Sequence, residues 1–261
     1  MTECLFSQQR SPDVERTRLR LLEEYHDPLS AGQLDEIGVS EGWRCLDVGA
    51  GGGSVTRMLA ERVGSTGSVL AVDLDTGLLE ALASDRVEVR RHDLMSDQLP
   101  PDEFDLVHAR LLLMFLSPRL GALDRLIGAA RPGGWLALIA PDFTTVALSP
   151  ASLAWQRVWS RLLDAAMAGG WDPGYGARLY GDLCAAGLAD VHADYIGRCY
   201  PGGSLPSRLL SLTLERMREQ MVRFGAAGYE IDEARQQLEN PASTFTPPTS
   251  CVARGRRPGR S

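Results

Sequence analysis

Six consecutive residues, Gly49-Ala50-Gly51-Gly52-Gly53-Ser54, follow a short apolar run (43–48) and precede a helical pattern over 54–62. A turn with so few side chains lets a ligand approach the N-terminus of the next helix, where N–H groups are free. The third glycine of a strict dinucleotide fingerprint would fall on Ser54, so the run alone argues against NAD and does little else. Three carboxylates give it meaning. Asp47 lies inside the apolar run, Asp73 ends the next one, and Asp93 follows the third. A carboxylate at a strand end accepts from ribose hydroxyls. Glycines, Asp73 and Asp93 at successive strand ends therefore describe one crevice along the carboxyl edge of a sheet, whereas Asp75 reads as a helix N-cap.

Proton-transfer groups are scarce. The chain has 4 histidines, and the candidate bases are His108 at the end of the fourth strand, His26, and Asp142 at the end of the fifth. For His108 the competing reading is a strand histidine hydrogen-bonded in the core. No histidine stands at metal-ligand spacing, so no metal is expected. The 5 cysteines form no C-x-x-C pair and read as free thiols of a reducing, cytoplasmic setting. All 27 basic residues are Arg. Without lysine there is no side-chain Schiff base, no P-loop and no kinase ATP lysine.

The elements that must position these groups alternate. Strands are expected at 43–48, 68–72, 87–91, 104–108 and 135–140. Helices are expected at 54–62, 75–83 and over most of 111–130, with a turn at 131–134. Such alternation implies a doubly wound, mostly parallel sheet with helices on both faces. Residues 1–15 read as disordered, and a helical pattern over 16–37 is interrupted at Pro28. After 143 the pattern becomes helical, at 149–168, 179–186, 205–224 and 230–238. A strand lies within 189–200, a linker at 241–248 and a last strand at 249–254. The apolar runs are too short for a bilayer, no signal-peptide pattern leads the chain, and a net charge of −7 disfavours nucleic acid. A monomer or homodimer is expected.

Taken in order, Leu46-Asp-Val-Gly-Ala-Gly-Gly-Gly53, Val72-Asp-Leu-Asp75, His92-Asp93-Leu94, Phe104-Asp-Leu-Val-His-Ala-Arg110 and Arg131-Pro-Gly-Gly-Trp135 resemble the class I S-adenosylmethionine-dependent methyltransferases. The resemblance covers residues 20–143 and implies a Rossmann-like α/β fold. Its sheet would have seven strands, the last antiparallel, with helical lid insertions. It implies that Asp47 orders the glycine turn or meets the methionine amine. Gly49, Ala50, Gly51 and Gly53 would approach the methionine and ribose parts. Asp73 would take the ribose hydroxyls, Leu74 would pack on the adenine, and Asp93 with Leu94 would meet the adenine amino group. Ala109 and Arg110 would close the methionine end, with Arg110 the cation for its carboxylate. Tyr25 would sit in an N-terminal segment, 1–42, covering the cofactor.

The methyltransferase domain would span 43–254, with lid or substrate elements around 144–186 and 203–240, and 255–261 would be a solvated basic tail. Similar sequences commonly carry His where this chain has Phe115, which suggests an apolar acceptor wall of Met114, Phe115, Trp155 and Met217. The expected function is methylation of a small, largely apolar acceptor, on oxygen by preference, in biosynthetic tailoring. A methyltransferase fold that binds the cofactor without transfer is the alternative.

Overall fold

The computed structural model describes residues 12–259. Five strands alternate with helical segments through the first half: β1 (Arg44–Val48), β2 (Ser68–Asp73), β3 (Val87–Arg91), β4 (Phe104–Arg110) and β5 (Ala130–Asp142). The helices of this part are α1 (Pro12–Ile37), α2 (Ser54–Val63) and α3 (Arg119–Ala129). The remainder holds β6 (Ala147–Ser149), α4 (Leu153–Ala168), α5 (Gly176–Ala185), β7 (Ala189–Ile196), β8 (Tyr200–Pro201), α6 (Leu205–Arg216), α7 (Arg218–Arg223), α8 (Gly228–Glu239), β9 (Thr244–Thr246) and β10 (Thr249–Arg256).

Seven strands make one sheet in the order β3-β2-β1-β4-β5-β10-β7. The first five pair in parallel. Gly133 and Gly134, early in β5, exchange hydrogen bonds with Arg257, just past the end of β10 (2.9 and 2.8 Å), so β10 runs antiparallel. From β1 the chain builds outward to β2 and β3, then returns to place β4 on the other side of β1. The glycine turn thus leaves the sheet at its switch point, where open α/β sheets place their ligands.

The chain divides into two compact units. One comprises 26–140, 175–195 and 250–261 and contains nearly all of the sheet. Leu34 and Ile37 of α1 and Val55, Leu59 and Val63 of α2 pack with Cys45, Val69, Val87, Leu106 and Ala137 of the strands. The Gln33 amide donates to the Ala253 carbonyl at 2.8 Å, tying α1 to β10. The other unit comprises 1–25, 141–174 and 196–249. It packs α4, α6, α7 and α8 together and adds a three-stranded sheet, β6-β9-β8, around the fully buried Phe245.

Several expectations need correction. Helix α1 continues through Pro28, because buried Leu21, His26, Ser30, Gln33, Leu34 and Ile37 outweigh the roughly 3 kcal/mol a helix proline costs. The helix expected at 75–83 shrinks to a single 3₁₀ turn, Glu80–Leu82. The Asp73 carboxylate accepts from Asp75 N–H at 3.1 Å and that of Asp75 from Gly77 N–H at 3.0 Å, a turn that competes with helix. The expected turn at 131–134 is instead the irregular start of β5. The expected linker, 241–248, contains β9. The solvated tail is also revised. Gly255 and Arg256 belong to β10, and Arg257 pairs with Asp102 at 2.5 Å and caps the carbonyls of Gly128 and Ala130. The expected disorder over 1–15 lies largely outside the described residues; from Pro12 the backbone is helical.

Candidate functional site

At the end of β1 the chain turns through Gly49, Gly51 and Gly53 with φ of 71°, 59° and 81°, which L side chains rarely adopt. Only at Gly53 is there also no room, since an added Cβ would lie 2.3 Å from a Leu82 methyl. At Gly51 a Cβ would meet nothing within 4 Å. The backbone of Gly51 is therefore both contorted and open, the form a ligand cradle takes. Its N–H donates to Asp73 Oδ2 at 2.9 Å, which locks the β1 turn to the end of β2. Burial raises the Asp73 carboxyl above the usual carboxylate range, and the N–H bonds from Gly51 and Asp75 oppose that shift. Leu74 follows with 49% of its surface exposed, a large apolar side chain left half open to solvent beside an acceptor.

Beyond β3, Asp93 accepts from Met95 N–H at 2.9 Å, and Asp97 accepts from Asp93 N–H at 2.9 Å. Leu94 is buried. His92 precedes them, with its N–H on the Asp73 carbonyl at 2.9 Å and a buried Nε2 that has no hydrogen-bond partner. Burial lowers its pKa.

At the end of β4, Ala109 is buried. Arg110 Nη1 donates to Asp27 Oδ1 at 2.9 Å and to Ser30 Oγ at 3.1 Å, and Nη2 donates to Ser54 Oγ at 3.0 Å. Ser54 Oγ donates in turn to Asp27 at 2.7 Å. The two terminal nitrogens of the fork expected to face a cofactor carboxylate thus hold α1 to the start of α2. Leu111 follows at φ 57°, a strained backbone for a leucine that aims Leu112 at Gly49. Two residues before Arg110 on β4, His108 faces Asp47 of β1, Nδ1 to Oδ1 at 2.8 Å, and Thr56 Oγ1 donates to Asp47 Oδ2 at 2.7 Å.

The remaining expected site residues fall elsewhere. His26 is buried in α1. Tyr25, in the helical unit, packs edge-on against Tyr200 at 6.2 Å, and burial raises its phenol pKa. Asp142 caps the 3₁₀ turn Phe143–Thr145, accepting from Thr144 N–H at 2.9 Å and Thr144 Oγ1 at 2.5 Å. Met114 and Met217 are fully buried, so neither offers surface to a small molecule. Phe115 is half-buried. Trp155 is buried in α4 and stacks on Trp159 at 5.5 Å. Asp27, Ser30, Ser54 and Thr56 were not foreseen as part of this strand-end network. The one sequence signal was that Asp27 sits inside Glu24-Tyr-His-Asp-Pro28. Among the described residues no cluster of three or more His, Cys, Asp or Glu is placed to hold a metal, and no helix is long and apolar enough to cross a membrane.

The strand ends suit S-adenosylmethionine. They offer an open glycine cradle, a carboxylate for a diol at Asp73 and an exposed apolar side chain at Leu74 for a ring. Residues 46–138 match a family model described as a methyltransferase domain. Aklanonic acid methyltransferase DauC from Streptomyces sp. (strain C5) is 32% identical over 131 residues, covering 48% of this chain and 60% of the relative. A trans-aconitate 2-methyltransferase from Rhizobium leguminosarum bv. trifolii is 34% identical over 138 residues, covering 52% and 49%. The matches span about half to three-fifths of these relatives' lengths. The crystal structure of the YcgJ protein from Bacillus subtilis aligns with a TM-score of 0.60 at 15% identity, covering 90% of this chain and 100% of that one, and shows the shared fold. With the sheet order, the strand-end carboxylates and these matches in agreement, residues 46–138 are identified as a methyltransferase domain set in a sheet of the Rossmann-like methyltransferase fold.

Proposed function

We propose that the protein binds S-adenosylmethionine along the ends of β1, β2 and β3 and methylates a small, largely apolar acceptor on oxygen. The observation that carries this reading is the Gly51–Asp73 lock beside an open glycine cradle. Asp73 would accept from the ribose hydroxyls, Leu74 would cover the adenine, and Asp93 with Leu94 would border it. Asp47, Gly49, Ala50, Gly53 and Ala109 would shape the methionine end. Arg110 would border that end while held by Asp27. When bound, the cofactor supplies a methyl carbon already activated by a positively charged sulfur, so the protein's own work is to orient and to exclude water.

The acceptor needs a base only if it must lose a proton. His108, the strand-end histidine expected as a base, is buried and its Nδ1 is held by Asp47, which favours an acceptor that is already an anion. The names of both relatives described above refer to organic acids. We infer an organic acid with an apolar body as acceptor, its carboxylate oxygen becoming a methyl ester, in a biosynthetic tailoring step. Phe115, the half-buried aromatic after β4, is assigned to the acceptor side.

Calorimetry tests the cofactor part. The protein should bind S-adenosylhomocysteine, and Asp73→Ala should weaken binding about 10- to 100-fold, the loss expected for a hydrogen bond to a charged group. No binding by the unaltered protein would sink the proposal. Incubation with S-adenosylmethionine and a panel of carboxylic acids and phenols should release S-adenosylhomocysteine with the acids. Binding without release against the whole panel would favour the non-transferring alternative.

A further inference from the structure

His108 and Asp47 are register partners on neighbouring strands. Their side chains are 1% and 2% exposed. A carboxylate oxygen only accepts, so the ring hydrogen in this 2.8 Å contact sits on Nδ1. The second carboxylate oxygen takes the hydroxyl hydrogen of Thr56, which is also fully buried. Asp47 stands two residues before Gly49 and Thr56 three residues after Gly53, so this carboxylate ties β1, β4 and α2 together across both ends of the glycine turn. On the β2 side, Gly49 N–H is fixed to the Val72 carbonyl at 2.8 Å. The remaining ring nitrogen, Nε2 of His108, is buried and meets no polar partner.

A general base would need its free nitrogen within reach of the acceptor, directly or through one water. Here the nitrogen with a partner points at a carboxylate, and the one without is sealed in the core. We propose that His108 is a positioning residue: through its Nδ1–H it holds Asp47, and with Thr56 it thereby fixes the shape of the glycine turn. The cofactor consequence rests on the reading above that this turn holds S-adenosylmethionine. The hold itself rests only on the three side chains. Asp47 then acts on the cofactor by setting the backbone of Gly49 to Gly53.

The two ring nitrogens can be told apart by substitution. In His108→Asn the amide nitrogen stands near the position of Nδ1, whereas in His108→Gln it reaches toward that of Nε2. Calorimetry with S-adenosylhomocysteine should find His108→Asn within about threefold of the unaltered protein. His108→Gln and His108→Leu should lose about tenfold or more. Thr56→Val should weaken binding in the same direction and Thr56→Ser should restore it. The reverse order, Gln retaining affinity and Asn losing it, would give the role to Nε2 and overturn the proposal. So would unchanged affinity in all variants, which would leave His108 as packing alone.

Two readouts do not depend on ligand or on the variants' folding as a set. The ring nitrogen spectrum of the unaltered protein should show hydrogen on Nδ1 of His108, and hydrogen on Nε2 alone would overturn the assignment. Amide exchange at Gly49 to Gly53 should quicken in Thr56→Val and not in Thr56→Ser. If the unaltered protein bound no S-adenosylhomocysteine, the cofactor reading would fail, and these two measurements would still decide the hold on the turn.

Discussion

The sheet unit and the helical unit keep their functional candidates in place by opposite means. Around the glycine turn the fixing groups are polar and each has named partners. Asp47 has two, Asp73 accepts backbone N–H groups, and Arg110 reaches Asp27, Ser30 and Ser54. In the helical unit the large candidates are held by packing. Phe143, Trp159 and Trp155 form a stacked series with ring centroids 6.4 and 5.5 Å apart, and Met217 and Met221 are fully buried. Its ion pairs include Arg157 with Glu230 at 2.9 Å and Arg218 with Glu215 at 2.8 Å; Glu230 is buried, but Arg157, Arg218 and Glu215 are partly exposed, so each pair contributes little. A polar lattice tolerates loss of volume and fails on loss of a partner. A packed stack does the reverse.

Trp155→Ala gives the largest expected effect. Removing a buried indole from the stack should cost about 3–5 kcal/mol in denaturant unfolding, while calorimetric affinity for S-adenosylhomocysteine stays within about twofold in the folded fraction. A fall in affinity matching the fall in stability would break the contrast between the units, because the stack would then be shaping the cofactor site.

Arg110 and Asp27 come next. The Arg110 side chain is 9% exposed and that of Asp27 29%. A double-mutant cycle of Arg110→Met and Asp27→Ala should show a coupling of about 1–2 kcal/mol in stability, discounted for the exposure of Asp27. If Arg110 serves the cofactor carboxylate instead, Asp27→Ala would free its fork and tighten binding. Unchanged or weaker binding identifies the pair as the latch between α1 and α2.

What the sequence made legible follows the same division. Gly49, Gly51 and Gly53 announce positive φ by their type, and Asp73 declares a strand end because a carboxylate there needs N–H donors nearby. Both signals are local. The network of Asp27, Ser30, Ser54 and Arg110 joins positions up to 83 residues apart, and nothing in the spacing of two serines reveals it. Asp75 misled for a related reason: its side chain serves a turn as readily as a helix cap, and here Gly77 N–H took it. Strand β9 was hidden between prolines because its three residues pair with β6 and β8, segments too short to register as strands. The tail read as solvated because arginine usually is; Arg257 is instead spent on carbonyls at the end of α3.

The smallest expected effect separates the units by pH. All 4 histidines, His26, His92, His108 and His192, belong to the sheet unit, so changes in stability near neutral pH should originate there. For His92 the sign is set by burial, which lowers its folded pKa below the ordinary 6.5 despite the upward pull of Asp97 and Asp93. Between the two values the unfolded chain binds more protons than the folded one, so stability falls as pH drops from about 6.5. His92→Leu keeps the site apolar and removes the titration. Unfolding free energies measured from pH 7.5 downward should therefore decline less steeply for His92→Leu than for the unaltered protein. Parallel declines would mean that the folded ring takes up its proton as readily as the unfolded one, and that its unpartnered Nε2 has a partner in solution.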